Sequence, residues 1–185
     1  MTRVFITFIL LLLPLLAFAA SPPAPVAVTG QTIFYATGGD GDLQKGVGWP
    51  DPRFTDNNNG TVTDNLTGLT WLKNANCFGR LPWAYALNVA SGLASGQCSL
   101  TDNSTVGSWR LPNINELKSL LDSGQDYPAL PVNHEFINVV SNNYWSSTTI
   151  SGLTDYAWKV VMSQGIIQRD HKTNYLWVWP VRGGE

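Results

Sequence analysis

The sequence predicts an α+β fold in which two helices pack on antiparallel sheets and one disulfide braces the chain. Three observations support this prediction. Residues 53–72 alternate apolar and polar residues around an Asn-Gly turn, residues 82–124 carry two stretches with helical spacing, and residues 144–182 alternate again. Strands, then helices, then strands is the order typical of an α+β domain.

The first twenty residues are expected to be a signal peptide. Arg3 supplies a positive charge, residues 4–16 are almost wholly apolar, and Ala17-Phe18-Ala19 has the small-x-small pattern of a cleavage site. A membrane anchor is the alternative, but the apolar run is shorter than the roughly 20 residues that a spanning helix needs. We therefore expect a protein exported to the periplasm, secreted or held at the cell surface, without membrane insertion after cleavage.

Residues 21–48 are expected to form a Pro/Gly-rich spacer and loop. The stretch from Ser21 to Thr29 has no periodicity, and residues 30–48 contain six glycines. The one short apolar run there, Ile33-Phe34-Tyr35, predicts a strand followed by an irregular loop. The folded domain is then expected to cover residues 49–185.

A three-stranded meander is predicted next. Asn59-Gly60 lies between alternating segments, and both residue types tolerate the positive φ of a tight hairpin turn. Four apolar residues are expected to point inward: Phe54, Val62, Leu69 and Trp71.

Two helices follow. The first is predicted from Pro82 to about Ala94, with Pro in its first turn and Gly96 after its end. Its apolar stripe consists of Trp83, Ala86, Leu87, Ala90 and Leu93. The second begins after Asn113, which forms a capping-box-like pair with Glu116, and is expected to stop at Gly124.

The last third is predicted to be β-structure. Residues 144–149, 156–162 and 165–170 alternate, with a turn at 163–165. A closing strand is expected over residues 176–182, where Pro180 requires an edge or a bulge because it has no N–H group to donate.

The net charge of the chain limits the classes of partner that it can bind. Without residues 1–20, which contain one basic residue and no acid, ten Lys and Arg face thirteen Asp and Glu, giving a formal charge of −3. Because nucleic acids and anionic membranes bind clustered cations, this charge argues against both as general partners.

Cys77 and Cys98 are the only cysteines. In an exported chain such a pair predicts a disulfide, with reactive thiols as the alternative. His134 and His171 lie far from both along the sequence, which disfavours a metal site.

Five sequence strings together resemble one family, the Lcl-type C-terminal domain. They are Arg53–Asp56 with Asn59–Trp71, Trp83 with Ala84 and Ala86, Trp109–Pro112 with Glu116-Leu117, Tyr144–Thr148, and Pro180–Gly183. The resemblance covers most of the mature chain and implies a C-type-lectin-like fold, a group that also includes the formylglycine-generating enzymes.

The family's named member is the adhesive C-terminal domain of a bacterial collagen-like surface protein that binds sulfated polysaccharides. The resemblance therefore implies a role in adhesion. This chain lacks a Gly-X-Y region and is acidic, which disfavours a sulfated ligand.

A calcium site is one candidate. Asp56, Asn58 and Asp64 supply the hard oxygen donors that Ca²⁺ prefers. The spacing does not fit an EF-hand loop, and turn-forming Asx residues are the alternative explanation. No other cofactor is expected.

A binding face in the C-terminal third is the second candidate. Aromatic and basic residues crowd the closing strands there: Trp158, Trp177 and Trp179 with Tyr156, Tyr175, Arg169 and His171. The residues expected to bind are Trp158, Arg169, His171, Tyr175 and Trp177. Aromatic rings stack on sugars, and Tyr, Trp and Arg dominate protein interfaces. The alternative for each of these Trp residues is burial in the core.

Catalysis is not expected. The oxidases of the lectin-like group use a C-terminal cysteine pair, and this chain has no cysteine after Cys98. Ser146 or Ser147 with His171 and Asp170 would resemble a nucleophile system, but no supporting motif surrounds them.

The leading hypothesis is an exported, non-enzymatic recognition or adhesion domain that binds a glycan or a surface protein. A structural envelope or assembly module without a small ligand is the alternative, and a lectin-fold oxidase or hydrolase is the third. The sequence leaves the oligomeric state open.

Overall fold

A computed structural model describes residues 26–184, and the predicted signal peptide lies outside the described residues. Three helices occur in this part: α1 (Asp40–Leu43), α2 (Trp83–Gly92) and α3 (Ile114–Ser119). The strands are β1 (Phe54–Asp56), β2 (Thr61–Asp64), β3 (Thr70–Leu72), β4 (Arg80–Leu81), β5 (Asn143–Ile150), β6 (Leu153–Val161), β7 (Ile166–His171), β8 (Leu176–Trp177) and β9 (Val181–Arg182). Within residues 26–184, every helix is too short to cross a membrane.

The strands form two sheets, which confirms the α+β prediction. The first has the order β1-β2-β3-β9, and all its neighbours are antiparallel. The second has the order β4-β8-β5-β6-β7 and is mixed, because β5 and β8 run parallel. The C-type-lectin-like assignment stays a prediction.

The predicted meander is present as β1, β2 and β3. All four residues expected to point inward, Phe54, Val62, Leu69 and Trp71, are at most 4% exposed. Gly60 has φ +84°, and a Cβ atom there would lie 2.4 Å from the Ser99 carbonyl oxygen. Glycine is therefore required at this turn both for its backbone conformation and for the close approach of a neighbouring chain segment.

The second sheet is buried on both faces near its centre. Tyr144 of β5 and Val160 of β6 are cross-strand partners and belong to the main core. Trp145 and Ala157 point to the opposite face, where they pack with Ala residues of α2. The alternation of the two strands thus separates the core into two clusters, one on each face of this sheet.

Both predicted helices are present, as α2 and α3, and both end earlier than predicted. Helix α2 ends at Gly92 because Leu93 is extended, with ψ 134°, and its side chain is fully buried. Helix α3 has the expected capping box between Asn113 and Glu116. It ends at Ser119, and the Asp122 amide then donates to the Ala129 carbonyl at 3.0 Å instead of continuing the helix.

The closing segment differs from the prediction of one strand. It splits at Pro180 into β8, which belongs to the second sheet, and β9, which belongs to the first. Pro180, which has no N–H group to donate, lies outside both strands, and its carbonyl accepts from the Leu72 amide at 3.1 Å. Trp179 is fully buried between the two strands and donates its indole N–H to the Leu72 carbonyl at 2.8 Å.

The N-terminal described segment has no strand at Ile33–Tyr35, so that prediction was wrong; these three side chains are 54–73% exposed. An apolar run forms a strand only where a partner strand accepts it, and none is placed beside this one. The segment contacts the domain instead. The Ser123 amide donates to the Thr29 carbonyl at 2.8 Å, and a Cβ atom at Gly30 would collide with Asp122.

The predicted disulfide between Cys77 and Cys98 is present, with a Cα–Cα distance of 5.7 Å. It links the segment before β4 to the loop that follows α2. Both cysteines pack against the main core.

Candidate functional site

The β6–β7 hairpin positions most of the predicted binding face. The register pairs Tyr156 with His171, Trp158 with Arg169, and Val160 with Ile167. Cross-strand partners in an antiparallel pair point to the same side of the sheet. One face of the hairpin therefore carries Tyr156, Trp158, Arg169 and His171. Val160, further along β6 on the same face, belongs to the main core.

Cross-strand pairing arranges these four side chains as a ladder of two rungs, Tyr156 with His171 and Trp158 with Arg169. The rings of Tyr156 and His171 meet edge to face with centroids 5.1 Å apart. The Arg169 guanidinium carbon lies 5.7 Å from the centroid of the Tyr156 ring. Arg169 is exposed, whereas Tyr156, Trp158 and His171 are half-buried. The rings are thus fixed by neighbours and still reachable from solvent.

Arg169 carries a charge that the described residues do not neutralise. Within residues 26–184, no carboxylate lies at ion-pair distance from its guanidinium. The neighbouring acid on the same strand, Asp170, points to the opposite face and pairs there with Lys159 at 2.8 Å. Alternation along β7 therefore keeps Arg169 available to an anionic group.

The opposite face holds its own polar cluster. Burial alone would raise the pKa of Asp170, but hydrogen bonds from Lys159 and Asn174 outweigh it and hold that pKa below its ordinary value. Lys172 donates to the Thr149 hydroxyl at 2.8 Å, and its ammonium lies 3.9 Å from the centroid of the Trp83 ring. These contacts make the second face a structural one.

The structure does not bring Tyr175 and Trp177 to the ladder. Trp177 lies on β8, which β5 separates from β6. It is half-buried against the main core, and its indole N–H is buried with no partner among the described residues. Tyr175 precedes β8 and is 57% exposed. Tyr156 takes their place, because the hairpin register sets it opposite His171.

Each of the two candidate calcium carboxylates is paired with a cation of the chain. Asp64 is fully buried and binds Arg53, whose Nε donates to it at 2.9 Å. Asp56 accepts from Lys73 at 2.5 Å and from the Asn58 amide at 3.0 Å, and these bonds lower its pKa. Within residues 26–184 no group of three His, Cys, Asp or Glu residues is arranged to hold a metal ion. Calcium at Asp56, Asn58 and Asp64 stays an untested hypothesis, and the bond from the Asn58 amide to Asp56 favours the alternative of a turn formed by Asx residues.

The residues considered for catalysis make other contacts. The Ser146 hydroxyl donates to the Trp158 carbonyl at 2.6 Å, and the Ser147 hydroxyl to the Pro112 carbonyl at 3.2 Å. The His171 ring nitrogen Nδ1 bonds the Thr173 hydroxyl at 2.7 Å. The histidine is thus engaged beside its own strand, and both serines bond to backbone oxygens.

One cavity was not predicted from the sequence. It has a volume of about 390 Å³ and lies between residues 26–29 and α3, with Trp49, Leu66 and Leu121 among its walls. It forms because the N-terminal segment folds back over α3. The only sequence signal was an isolated Trp49 after a Gly-rich stretch, which does not identify its neighbours.

Comparison with known proteins gives one family. The model of the Lcl C-terminal domain matches residues 60–182, about two thirds of the chain, and this range contains both sheets except for β1. The search of curated proteins found no match. The chain belongs to the Lcl C-terminal domain family.

Proposed function

We propose that this chain is an exported, non-enzymatic recognition and adhesion domain that binds a glycan or a protein at the cell envelope or outside the cell. One observation carries the proposal: an exposed, unneutralised Arg169 lies on the same face as the half-buried rings of Tyr156 and Trp158. The family membership supports an adhesin-related role.

The ladder suits a ligand that offers an apolar surface and an anionic group together. Sugar C–H surfaces and protein side chains both stack on Trp and Tyr rings, and Arg pairs with carboxylates through two parallel bonds. The rings are held by cross-strand neighbours, so binding loses little side-chain entropy at these positions. A glycan or a protein segment that presents a carboxylate beside an apolar surface is therefore the class of ligand that this face favours. One exposed arginine on an acidic chain suits a single carboxylate and not a densely sulfated ligand.

The test is a binding screen with the mature domain, residues 21–185. Immobilised neutral glycans, uronic-acid glycans and envelope proteins serve as probes. For any probe that binds, Trp158→Ala and Arg169→Ala are each expected to weaken binding at least about tenfold, as central interface residues do. Tyr85→Ala is the matched control, because Tyr85 is 64% exposed on α2 and lies outside the ladder.

Unchanged binding by both ladder variants would refute this site, and binding of none of the three probe classes would count against recognition as the function. Circular dichroism confirms that each variant is folded. Trp158→Ala is suited to this test because Ser146 bonds to the backbone carbonyl of residue 158, which alanine also has.

The proposed export is supported by the confirmed disulfide, because disulfides persist in oxidising compartments. Fractionation of cells that carry an epitope-tagged full chain tests it. We expect a processed protein in the periplasm, in the medium or at the surface. An unprocessed protein in the cytoplasm would refute export.

A further inference from the structure

The outer edge of β7 is the free edge of the second sheet. The Lys172 amide donates to the Asp155 carbonyl at 2.8 Å, in line with the β6–β7 register. Because hydrogen-bonded and non-hydrogen-bonded pairs alternate in an antiparallel ladder, residues 166, 168 and 170 also bond to β6. The backbone N–H and C=O groups of Ile167, Arg169 and His171 therefore point away from the sheet.

One end of this edge is closed by local contacts. The His171 amide donates to its neighbour's carboxylate, Asp170 Oδ1, at 2.9 Å, and the His171 carbonyl accepts from the Asn174 amide at 2.9 Å. The four backbone groups of Ile167 and Arg169 have no partner among residues 26–184. Both residues are exposed, Ile167 at 37%. The open edge is thus two outward-facing residues long.

We propose that a second copy of this chain pairs with β7 in antiparallel fashion, around a two-fold axis at Gln168. Ile167 then exchanges both backbone bonds with Arg169 of the second copy, and Arg169 does the same with Ile167 of the second copy. All eight open groups are satisfied by four hydrogen bonds. The two five-stranded sheets become one continuous ten-stranded sheet.

The edge itself favours a second copy over an unrelated strand. The two-fold arrangement is self-complementary, as an isologous dimer interface requires. A two-residue shift in one direction sets an open residue against His171, whose amide and carbonyl are already bonded. A shift in the other direction sets Arg169 against Gly165, whose amide already donates to the Val161 carbonyl. The arrangement also places each Arg169 side chain opposite an isoleucine, so no like charges stand directly opposed.

The association is expected to be weak. A contact confined to one strand edge buries less than the roughly 1,200 Å² of a stable interface, so the dimer depends on protein concentration. The pairing uses backbone groups and does not rest on the proposed ligand recognition.

Cross-linking tests the register. The two Gln168 residues face each other as a non-hydrogen-bonded pair, with Cα atoms about 4.5 Å apart, which a disulfide can bridge. The chain has no free cysteine among its described residues, so Gln168→Cys adds a single thiol. We expect this variant of the mature domain to form a disulfide-linked dimer on mild oxidation, seen on a non-reducing gel.

Ile166→Cys is the matched control. Residue 166 lies on the same strand and the same face as Gln168. In the proposed dimer, however, residue 166 of one chain and residue 166 of the other are offset by four residues, about 13 Å along the strands. It is expected to stay monomeric on the gel. Equal cross-linking of both variants would show random collision and would overturn the proposal, as would the absence of a Gln168→Cys dimer.

Sedimentation equilibrium gives a second, independent readout. Ile167→Pro removes an outward N–H group that β6 does not use, and is expected to raise the dimer dissociation constant at least about tenfold. Ile167→Val keeps the N–H group and is expected to dimerise as the parent domain does. A parent domain that is monomeric at every attainable concentration, or equal weakening by both variants, would overturn strand pairing.

Discussion

The pair formed by Arg53 and Asp64 gives the sharpest stability prediction. Asp64 is fully buried and accepts four hydrogen bonds: from Arg53 Nε at 2.9 Å, Arg53 Nη2 at 3.2 Å, the Leu66 amide at 3.0 Å and the Thr67 hydroxyl at 2.9 Å. The guanidinium carbon of Arg53 lies 4.8 Å from the centroid of the Trp49 ring and 4.8 Å from that of the Phe54 ring. If Asp64 lost its charge, little water could therefore reach the Arg53 guanidinium to take the place of the carboxylate.

Asp64→Asn keeps the size of the side chain and removes its charge. The amide oxygen of Asn can still accept from Arg53 Nε, but an NH2 group replaces the oxygen that accepts from Arg53 Nη2 and from the Thr67 hydroxyl. The side chain of Arg53, which is 6% exposed, would then have no ion-pair partner among the described residues. Breaking a buried pair in this way costs about 3–5 kcal/mol, because an uncompensated charge stays buried. That is a large part of the roughly 5–15 kcal/mol by which a domain is stable.

Urea unfolding of the mature domain with its disulfide intact, followed by Trp fluorescence, measures the free energy of unfolding. Asp56→Asn is the matched control, because the Asp56–Lys73 pair is partly exposed and is expected to contribute below about 1 kcal/mol. Arg53→Met combined with Asp64→Asn is expected to cost less than the sum of the single changes. If Arg53→Met and Asp64→Asn each lower the free energy of unfolding by less than about 1 kcal/mol, and the two losses add in the double variant, the buried-pair reasoning is refuted.

The same titration tests calcium. With Asp64 bound by Arg53 and Asp56 by Lys73, we expect equal free energies of unfolding in calcium and in EDTA. A calcium-dependent gain that Asp64→Asn abolishes would instead locate an ion at this carboxylate.

Three further predictions follow from single contacts. Replacing Cys77 and Cys98 together by Ser is expected to lower the free energy of unfolding by about 3 kcal/mol, measured against the oxidised parent, and no loss would show that the loop needs no cross-link. Because the folded-state pKa of Asp170 lies below its ordinary 3.8, its contribution is present above that pH and is lost as the pH falls through the lowered value. Urea midpoints from neutral to strongly acidic pH should therefore fall less steeply for Asp170→Asn, and parallel curves would contradict this. Asn113→Ala should cost about 1 kcal/mol through loss of the α3 cap, whereas Asn115→Ala, an exposed neighbour whose side chain makes no cap, should cost much less in the same assay.

Local signals predicted most of the elements. The turn that contains Asn59-Gly60 and the capping box at Asn113 each depend on residues within four positions of one another, so the sequence displays them directly. Helix ends were predicted too late, because they depend on distant partners: the Ala129 carbonyl captures the Asp122 amide after α3. The strand expected at Ile33–Tyr35 failed for the related reason that no other segment pairs with it.

In the candidate site too, contacts between neighbours in sequence were predicted, whereas contacts between distant segments were not. Trp158, Arg169 and His171 were predicted as one face because aromatic and basic residues crowd the closing strands, and the β6–β7 register places these three on the same side of the sheet. Trp177 was assigned to the same face because residues 176–182 read as one more strand in sequence. The order β8-β5-β6 places β5 between them, and no periodic pattern in a single sequence specifies which strands become neighbours in space.

Arg169 connects the two proposals, and the geometry of a strand makes them compatible. Its side chain stands perpendicular to the sheet, beside the Tyr156 ring, whereas its N–H and C=O groups lie in the plane of the sheet and point outward. A ligand on the face and a second copy at the edge would therefore approach in different directions. Pairing at Gln168 would set two ladders side by side on one continuous face, and a ligand that spans both would gain avidity without a new contact. Weak pairing at the edge would then strengthen adhesion only where ligands are displayed densely.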